Sequence, residues 1–172
     1  MDAGANGVIV PMINTAQQAQ KAVNAVKYPP EGTRGIGLSR AQGYGTKFNE
    51  YKEWVKKESI VIVQIEHIDA VKNLDAIFSV KGIDGFMVGP YDLSGSMGIA
   101  GEFENPKLLA ALDKIMLKAK ERQVTAGIHS VPTDVNMVKD KIKKGFKFIA
   151  YSVDFLLLGD KCREGLKLIK SK

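Results

Sequence analysis

One stretch, Ile60–Ser96 (IVIVQIEHIDAVKNLDAIFSVKGIDGFMVGPYDLSGS), restricts the fold of this chain more than any other. IVIVQIE is a mostly β-branched run that ends in Gln64 and Glu66. GFMVGP is a second apolar run, closed by Gly89–Pro90, with Asp92 two residues further on. Strands apolar on both faces belong to parallel sheets covered by helices. The segment between the two runs reads as a helix, so the unit is a strand–helix–strand crossover. Such crossovers bring both strand C-termini to one side, where α/β proteins keep their sites. Glu66 and Asp92 are therefore expected as neighbours, and a pair of carboxylates there suits a hard divalent cation. The alternative partner for a carboxylate ending an apolar run is a lysine or arginine of a neighbouring strand.

The same alternation runs through the rest of the chain. A strand is expected over Gly7–Met12, behind a DAGA segment of the kind that caps a preceding helix through a left-handed glycine. This predicts a chain that starts in mid-fold. Asn14 or Thr15 caps a helix with Ala16, Ala19, Val23 and Val26 on one stripe, and Tyr28–Pro29–Pro30 stops it. A long glycine-rich connector follows, in which Arg34 and Arg40 stand among small residues able to approach an anion or an interface. FNEYKEWVKKE is a short amphipathic helix with Phe48, Tyr51, Trp54 and Val55 inward. After the GPYDLSGSMGIAGEFENP loop, Asn105 and Pro106 open a helix to Arg122. TAGIHS is a strand ending near His129, Pro132–Lys144 a helix, FKFIAYSVD the last strand, and 155–169 a final helix with Leu156, Leu157, Leu166 and Ile169.

Strands alternating with helices, without hairpin turns, argue for a doubly wound sheet or a (β/α)8 barrel. Neither GxGxxG nor GxxxxGK[ST] follows a strand, which removes the nucleotide-binding support for the open sheet. Five strands are too few for a complete barrel, so exposed strand edges need a cover. The 172 residues suit a single domain. No apolar run approaches the roughly 18 residues of a membrane span, and no signal peptide is visible. One cysteine, Cys162, fits a reducing, cytoplasmic setting. The net charge of +6 is spread over helix faces, alternating with acids, and reads as solvated surface rather than a nucleic-acid footprint.

Strand ends also supply His129, Ser152 and Asp154. His129 is a candidate substrate contact. His67 follows Glu66, points away from it and begins the next helix. In GPYDLS the backbone N–H groups of Tyr91 and Asp92 are donors for a carboxylate or enolate oxygen, whereas Pro90 has none to offer. Asp2 is a surface or channel residue, and Met97, Met116 and Met137 are packing residues.

GANGVIVPM, YPPEGTRGIG, VQIEHIDAVKNL, IDGFMVGPYDLSGSMG and GIH together resemble the HpcH/HpaI aldolases, along nearly the whole chain. These are class II, metal-dependent aldolases that cleave 2-keto-3-deoxy or 4-hydroxy-2-oxo acids to pyruvate and an aldehyde. The resemblance implies a TIM barrel of the phosphoenolpyruvate/pyruvate type, of which this chain is a partial version spanning roughly strands 4 to 8. It implies that Glu66 and Asp92 ligate Mg²⁺, Mn²⁺ or Co²⁺. It implies further that Gln64 and the amides around Tyr91 and Asp92 contact pyruvate, whose enolate the metal stabilises. In the family an Asp–His pair and a carbonyl-binding arginine lie on the second and third strands, and nothing here matches them. The catalytic base is therefore unassigned, and the chain reads as N-terminally truncated. The expectations that follow are weak metal and pyruvate binding with little turnover by the chain alone, and homo-oligomers formed through strand edges. A citrate-lyase-like C–C lyase on the same site, or an inactive barrel fragment serving as an interaction module, are the alternatives.

Overall fold

The computed structural model describes residues 1–171. Five strands, β1 (Gly7–Val10), β2 (Ile60–Ile65), β3 (Gly85–Val88), β4 (Thr125–Ser130) and β5 (Phe148–Tyr151), form one sheet. Its order is β1-β2-β3-β4-β5 and every neighbouring pair is parallel. A doubly wound sheet reverses its direction of growth at a switch point. This one never does, so each crossover advances the same way and all the helices fall on one face. The result is a curled half-barrel, in agreement with a partial (β/α)8 wall.

The helices are α1 (Ala16–Val26), α2 (Phe48–Glu58), α3 (Ile68–Lys72), α4 (Leu74–Phe78), α5 (Pro90–Ser96), α6 (Pro106–Arg122), α7 (Val135–Lys143) and α8 (Asp154–Lys170). Thr15, not Asn14, caps α1, in a reciprocal capping box with Gln18. The helix expected between β2 and β3 is two short pieces, α3 and α4, meeting at Asn73. GPYDLS, expected as loop, opens α5 instead, because Pro90 takes the first helical position, where no N–H is needed. The seventh helix starts later than Pro132: Asp134 is its cap and accepts the Asn136 N–H. The first and last strands are also shorter than their apolar runs.

Strand alternation divides the sheet into two faces. Val63, Ile65, Phe86, Val88, Ala126 and Ile128 point to the helices and meet Leu74, Ile77, Leu108 and Ile115, all buried. Phe86 is fully buried and stacks on Phe78 with ring centroids 4.9 Å apart. Truncating such a ring to alanine costs about 3–5 kcal/mol. The opposite, concave face carries Ile9, Ile62, Gln64, Met87, His129 and Phe148 by register. Ile9 and Phe148 lie toward its two margins and are exposed.

Packing is uneven along the chain. Every residue of β3 is buried, whereas α7 and α8 have no buried residue and β5 is only partly covered. Of the apolar residues that the last helix carries, Leu157, Leu166 and Ile169 are exposed.

The arginines of the glycine-rich connector turn out to be occupied within the fold. Arg34 is buried, pairs with Asp2 and lies 4.6 Å from the Tyr28 ring centroid and 5.5 Å from that of Tyr51. Arg40 Nη1 donates to the Ala3 carbonyl at 2.6 Å. Both side chains thus fasten the N-terminal DAGA segment, and Asp2 is the counter-ion of Arg34 rather than a channel residue. Of the four residues expected inward on α2, only Val55 is fully buried, while Tyr51 and Trp54 stack on each other.

Candidate metal and oxo-acid site

The site is built at the C-terminal ends of β2 and β3. Gln64 pairs in register with Met87, one residue short of the point where Ile65 pairs with Val88, so Gln64 and Glu66 project on the concave face beside Gly89. Glu66 is 4% exposed. Its Oε1 accepts the Met12 N–H at 2.8 Å. Met12 reaches this position from the end of β1 with a left-handed backbone, φ 55°. No arginine or lysine forms an ion pair with Glu66 among the described residues, so the salt-bridge alternative does not account for its burial. Burial raises its pKa above the ordinary carboxylate range, opposed by the Met12 N–H and reinforced by the negative charge of Asp92.

Gly89 is needed here for space. A Cβ at this position would lie 2.7 Å from Glu66 Oε2 and 3.1 Å from Gln64 Nε2. The backbone of β3 can approach these side chains so closely only without one. Asp92 and Tyr91 follow in the first turn of α5, whose register is fixed at several points. The Leu93 N–H returns to the Gly89 carbonyl at 2.9 Å. Ser94, fully buried, donates to the Tyr91 carbonyl and accepts the Gly101 N–H. Ser96 Oγ accepts the Ile68 N–H at 2.9 Å, clamping α5 to the turn that follows Glu66.

The sequence-derived residues are therefore partly united. Gln64 and Glu66 both lie against Gly89, and the exposed Asp92 is near enough to Glu66 to act on its charge. The half-exposed ring of Tyr91 packs edge-on against Phe103 with centroids 4.7 Å apart. His129 stands at the same level one strand further, with Nε2 3.1 Å from the Ser152 carbonyl, so its ring is engaged toward β5. His67 caps α3, with Nδ1 accepting the Asp69 N–H. Met12 and Gly89 were not singled out as site residues by sequence. The Gly–Pro pair at the end of β3 was a signal for the second, but a methionine after a proline signals nothing.

This donor set has the chemistry of a divalent-cation site. It offers two adjacent carboxylates, one buried and pinned by a backbone donor, with no protein cation to neutralise it. Among the described residues no group of three or more His, Cys, Asp or Glu converges, so the remaining ligands would be water or substrate oxygens. Hard cations with open positions are held in this way.

The family model described as HpcH/HpaI aldolase/citrate lyase matches residues 1–160. The chain belongs to the HpcH/HpaI aldolase/citrate lyase family. It is 38% identical over 160 residues to a hydroxypyruvate/pyruvate aldolase of Roseobacter denitrificans, covering 92% of this chain and 61% of that protein. It is 36% identical to a 4-hydroxy-2-oxo-heptane-1,7-dioate aldolase of Shigella flexneri, covering 92% and 59%. The crystal structure of an HpcH/HpaI aldolase/citrate lyase family protein from Burkholderia cenocepacia superposes with a TM-score of 0.91 at 30% identity, over 99% of this chain and 67% of that one. The chain thus spans about 60% of the length of the HpcH/HpaI relatives it matches.

Proposed function

We propose that this chain carries the cation- and oxo-acid-binding half of a class II aldolase site, which cleaves a 4-hydroxy-2-oxo acid to pyruvate and an aldehyde. The observation that carries the reading is Glu66: a buried carboxylate with no cationic partner among the described residues, set beside Asp92 at the strand ends. Mg²⁺, Mn²⁺ or Co²⁺ held by Glu66 and Asp92 would supply Lewis acidity toward the carboxylate and carbonyl oxygens of the oxo acid. The Gln64 amide, on the same face, would donate to the substrate. The N–H groups of Tyr91 and Asp92, free of helix acceptors at this first turn, are donors for its carboxylate. Gly89 leaves a side-chain-free wall against which a flat, three-carbon acid fits. Cleavage breaks the C3–C4 bond, releases the aldehyde and leaves C3 of pyruvate to take up a proton. None of Gln64, Glu66 or Asp92 is assigned as the donor of that proton.

The aldolase reading is favoured over a citrate-lyase-like one by the names of the relatives at 35–38% identity. Calorimetric titration of Mn²⁺, with and without pyruvate, tests the proposal on the wild type and Glu66→Gln. The expected result is metal binding tightened at least about tenfold by pyruvate and lost in the variant. A folded wild type that ignores Mn²⁺ in both conditions overturns it. Cleavage of acyl-CoA thioesters in place of hydroxy-oxo acids would transfer the assignment to the citrate-lyase-like class.

A further inference from the structure

A cavity of about 80 Å³ lies between α6, α7 and the end of β4, bordered by Pro90 and His129 on the side of the strand-end site. Its walls are mainly apolar, formed by Phe103, Leu108, Leu112, Ile128 and Met137. Besides His129 and Glu104 at its border, Ser130, Lys141 and Lys144 interrupt them. Ser130 is 2% exposed, lines the cavity, and its hydroxyl has no hydrogen-bond partner among the described residues. Buried hydroxyls without a partner are rare and costly, so an orphan one in a cavity wall marks a place for a ligand or water. Lys141 and Lys144 line the same space, one helical turn apart, and neither forms an ion pair among the described residues. Lys141 is half-buried, and burial pulls its pKa down, with Lys144 adding to the effect. Glu104 and Asp140 offset it only in part.

We propose that this cavity is a binding site for a short-chain aliphatic monocarboxylate, adjoining the strand-end site at Pro90 and His129 but recognising its ligand through a different set of polar groups. The alkyl chain would replace water against Leu108, Leu112 and Met137, while the carboxylate would take the Ser130 hydroxyl and the Lys141 ammonium. The volume sets the size of the guest. A single water needs roughly 10–15 Å³ and benzene is held by an apolar cavity of about 150 Å³, so this space takes an acid of three to five heavy atoms. The exposed Glu104 at the rim disfavours di- and tricarboxylates by like-charge repulsion.

The test uses propionate as probe, on the whole chain in EDTA and in the Glu66→Gln background, with ¹³C-methyl methionine NMR. Met137 reports on the cavity, while Met12 and Met87 report on the concave face. Failure of the aldolase assignment therefore leaves this readout intact. The expected result is a saturable shift of Met137 alone, with affinity weakened about threefold to tenfold by Ser130→Ala and at least about tenfold by Lys141→Leu. The neutral analogue 1-propanol should bind at least about tenfold more weakly. Absence of a Met137 shift up to saturating propionate overturns the proposal. So does a response that survives Lys141→Leu unchanged or is matched by propanol, because the cavity would then hold only water or unselective apolar solutes. A spectrum of Lys141→Leu showing native dispersion confirms that the variant folds.

Discussion

The backbone N–H of Met12 donates to Glu66 Oε1 across 54 positions of sequence. One carboxylate oxygen is thereby committed to the protein and the other is left toward Gly89 and Asp92. In the metal-free protein this buried carboxyl holds its proton to higher pH than in the unfolded chain. The unfolded state then loses the proton first, near the ordinary value of about 4.3. As pH rises from there to the folded value, the folded state binds more protons, so stability falls, and above it the loss is complete. Glu66→Gln removes this effect while keeping an acceptor for Met12. In EDTA, the stability of Glu66→Gln relative to wild type should increase with pH over that window. Urea denaturation at a series of pH values measures it, and a pH-independent difference would refute the assigned burial effect.

Gly89→Ala should separate folding from cation binding. The new methyl would sit 2.7 Å from Glu66 Oε2, so the carboxylate or the strand must shift. Overpacking of this kind costs about 1–3 kcal/mol. The variant should fold, lose stability by that amount in urea, and bind Mn²⁺ at least about tenfold more weakly. Unchanged Mn²⁺ affinity would place the cation elsewhere.

Ser94→Ala removes a hydroxyl that bridges the first turn of α5 to Gly101. The Gly101 N–H loses its acceptor, at a cost of about 1–3 kcal/mol. Because the same turn carries Asp92, Mn²⁺ affinity should fall along with stability. Calorimetry and thermal unfolding together check this, and a loss of stability with full Mn²⁺ affinity would show that Asp92 is held without Ser94.

Arg34→Ala is expected to act on stability alone. It removes a buried guanidinium lying over Tyr28 and Tyr51 and releases Asp2, which is largely exposed. Stacking and hydrogen bonding together suggest about 1–3 kcal/mol, whereas Asp2→Ala should cost under about 1 kcal/mol. Urea midpoints for both single variants and the double variant give the coupling. A drop in pyruvate-enhanced Mn²⁺ binding in Arg34→Ala, beyond that explained by unfolding, would restore a substrate role to this arginine.

Much of this was legible in the amino-acid order because the signals were local. The apolar runs of β2 and β3 announced a parallel sheet, and Asn105–Pro106 announced the start of α6. The carboxylates at Glu66 and Asp92 were visible as residues out of place at strand ends. What escaped depended on distant chain segments. The left-handed Met12 has no compositional mark, and its partner lies beyond α1, α2 and β2. Arg34 looked free for a ligand because the acid that neutralises it, Asp2, is on another segment. The first turn of α5 was hidden in a glycine- and serine-rich stretch whose helix depends on Ser94 and Ser96 tying it down. The leucines and isoleucine of α8 were visible in the sequence, but apolar residues name no partner by themselves and none of these is buried.

The uneven packing described above has a consequence for how the molecule comes apart. Strands pair only with their successors in the chain, so a break at one end need not propagate to the other. The segment from α7 to α8, with no buried residue in either helix, should open at a small fraction of the free energy that global unfolding requires. Glu66 and Asp92 are joined to the opposite, densely packed portion and would keep their mutual geometry through such partial openings. The chain therefore resembles a rigid jaw with a loosely hinged flank, and the cation-binding pair sits in the jaw.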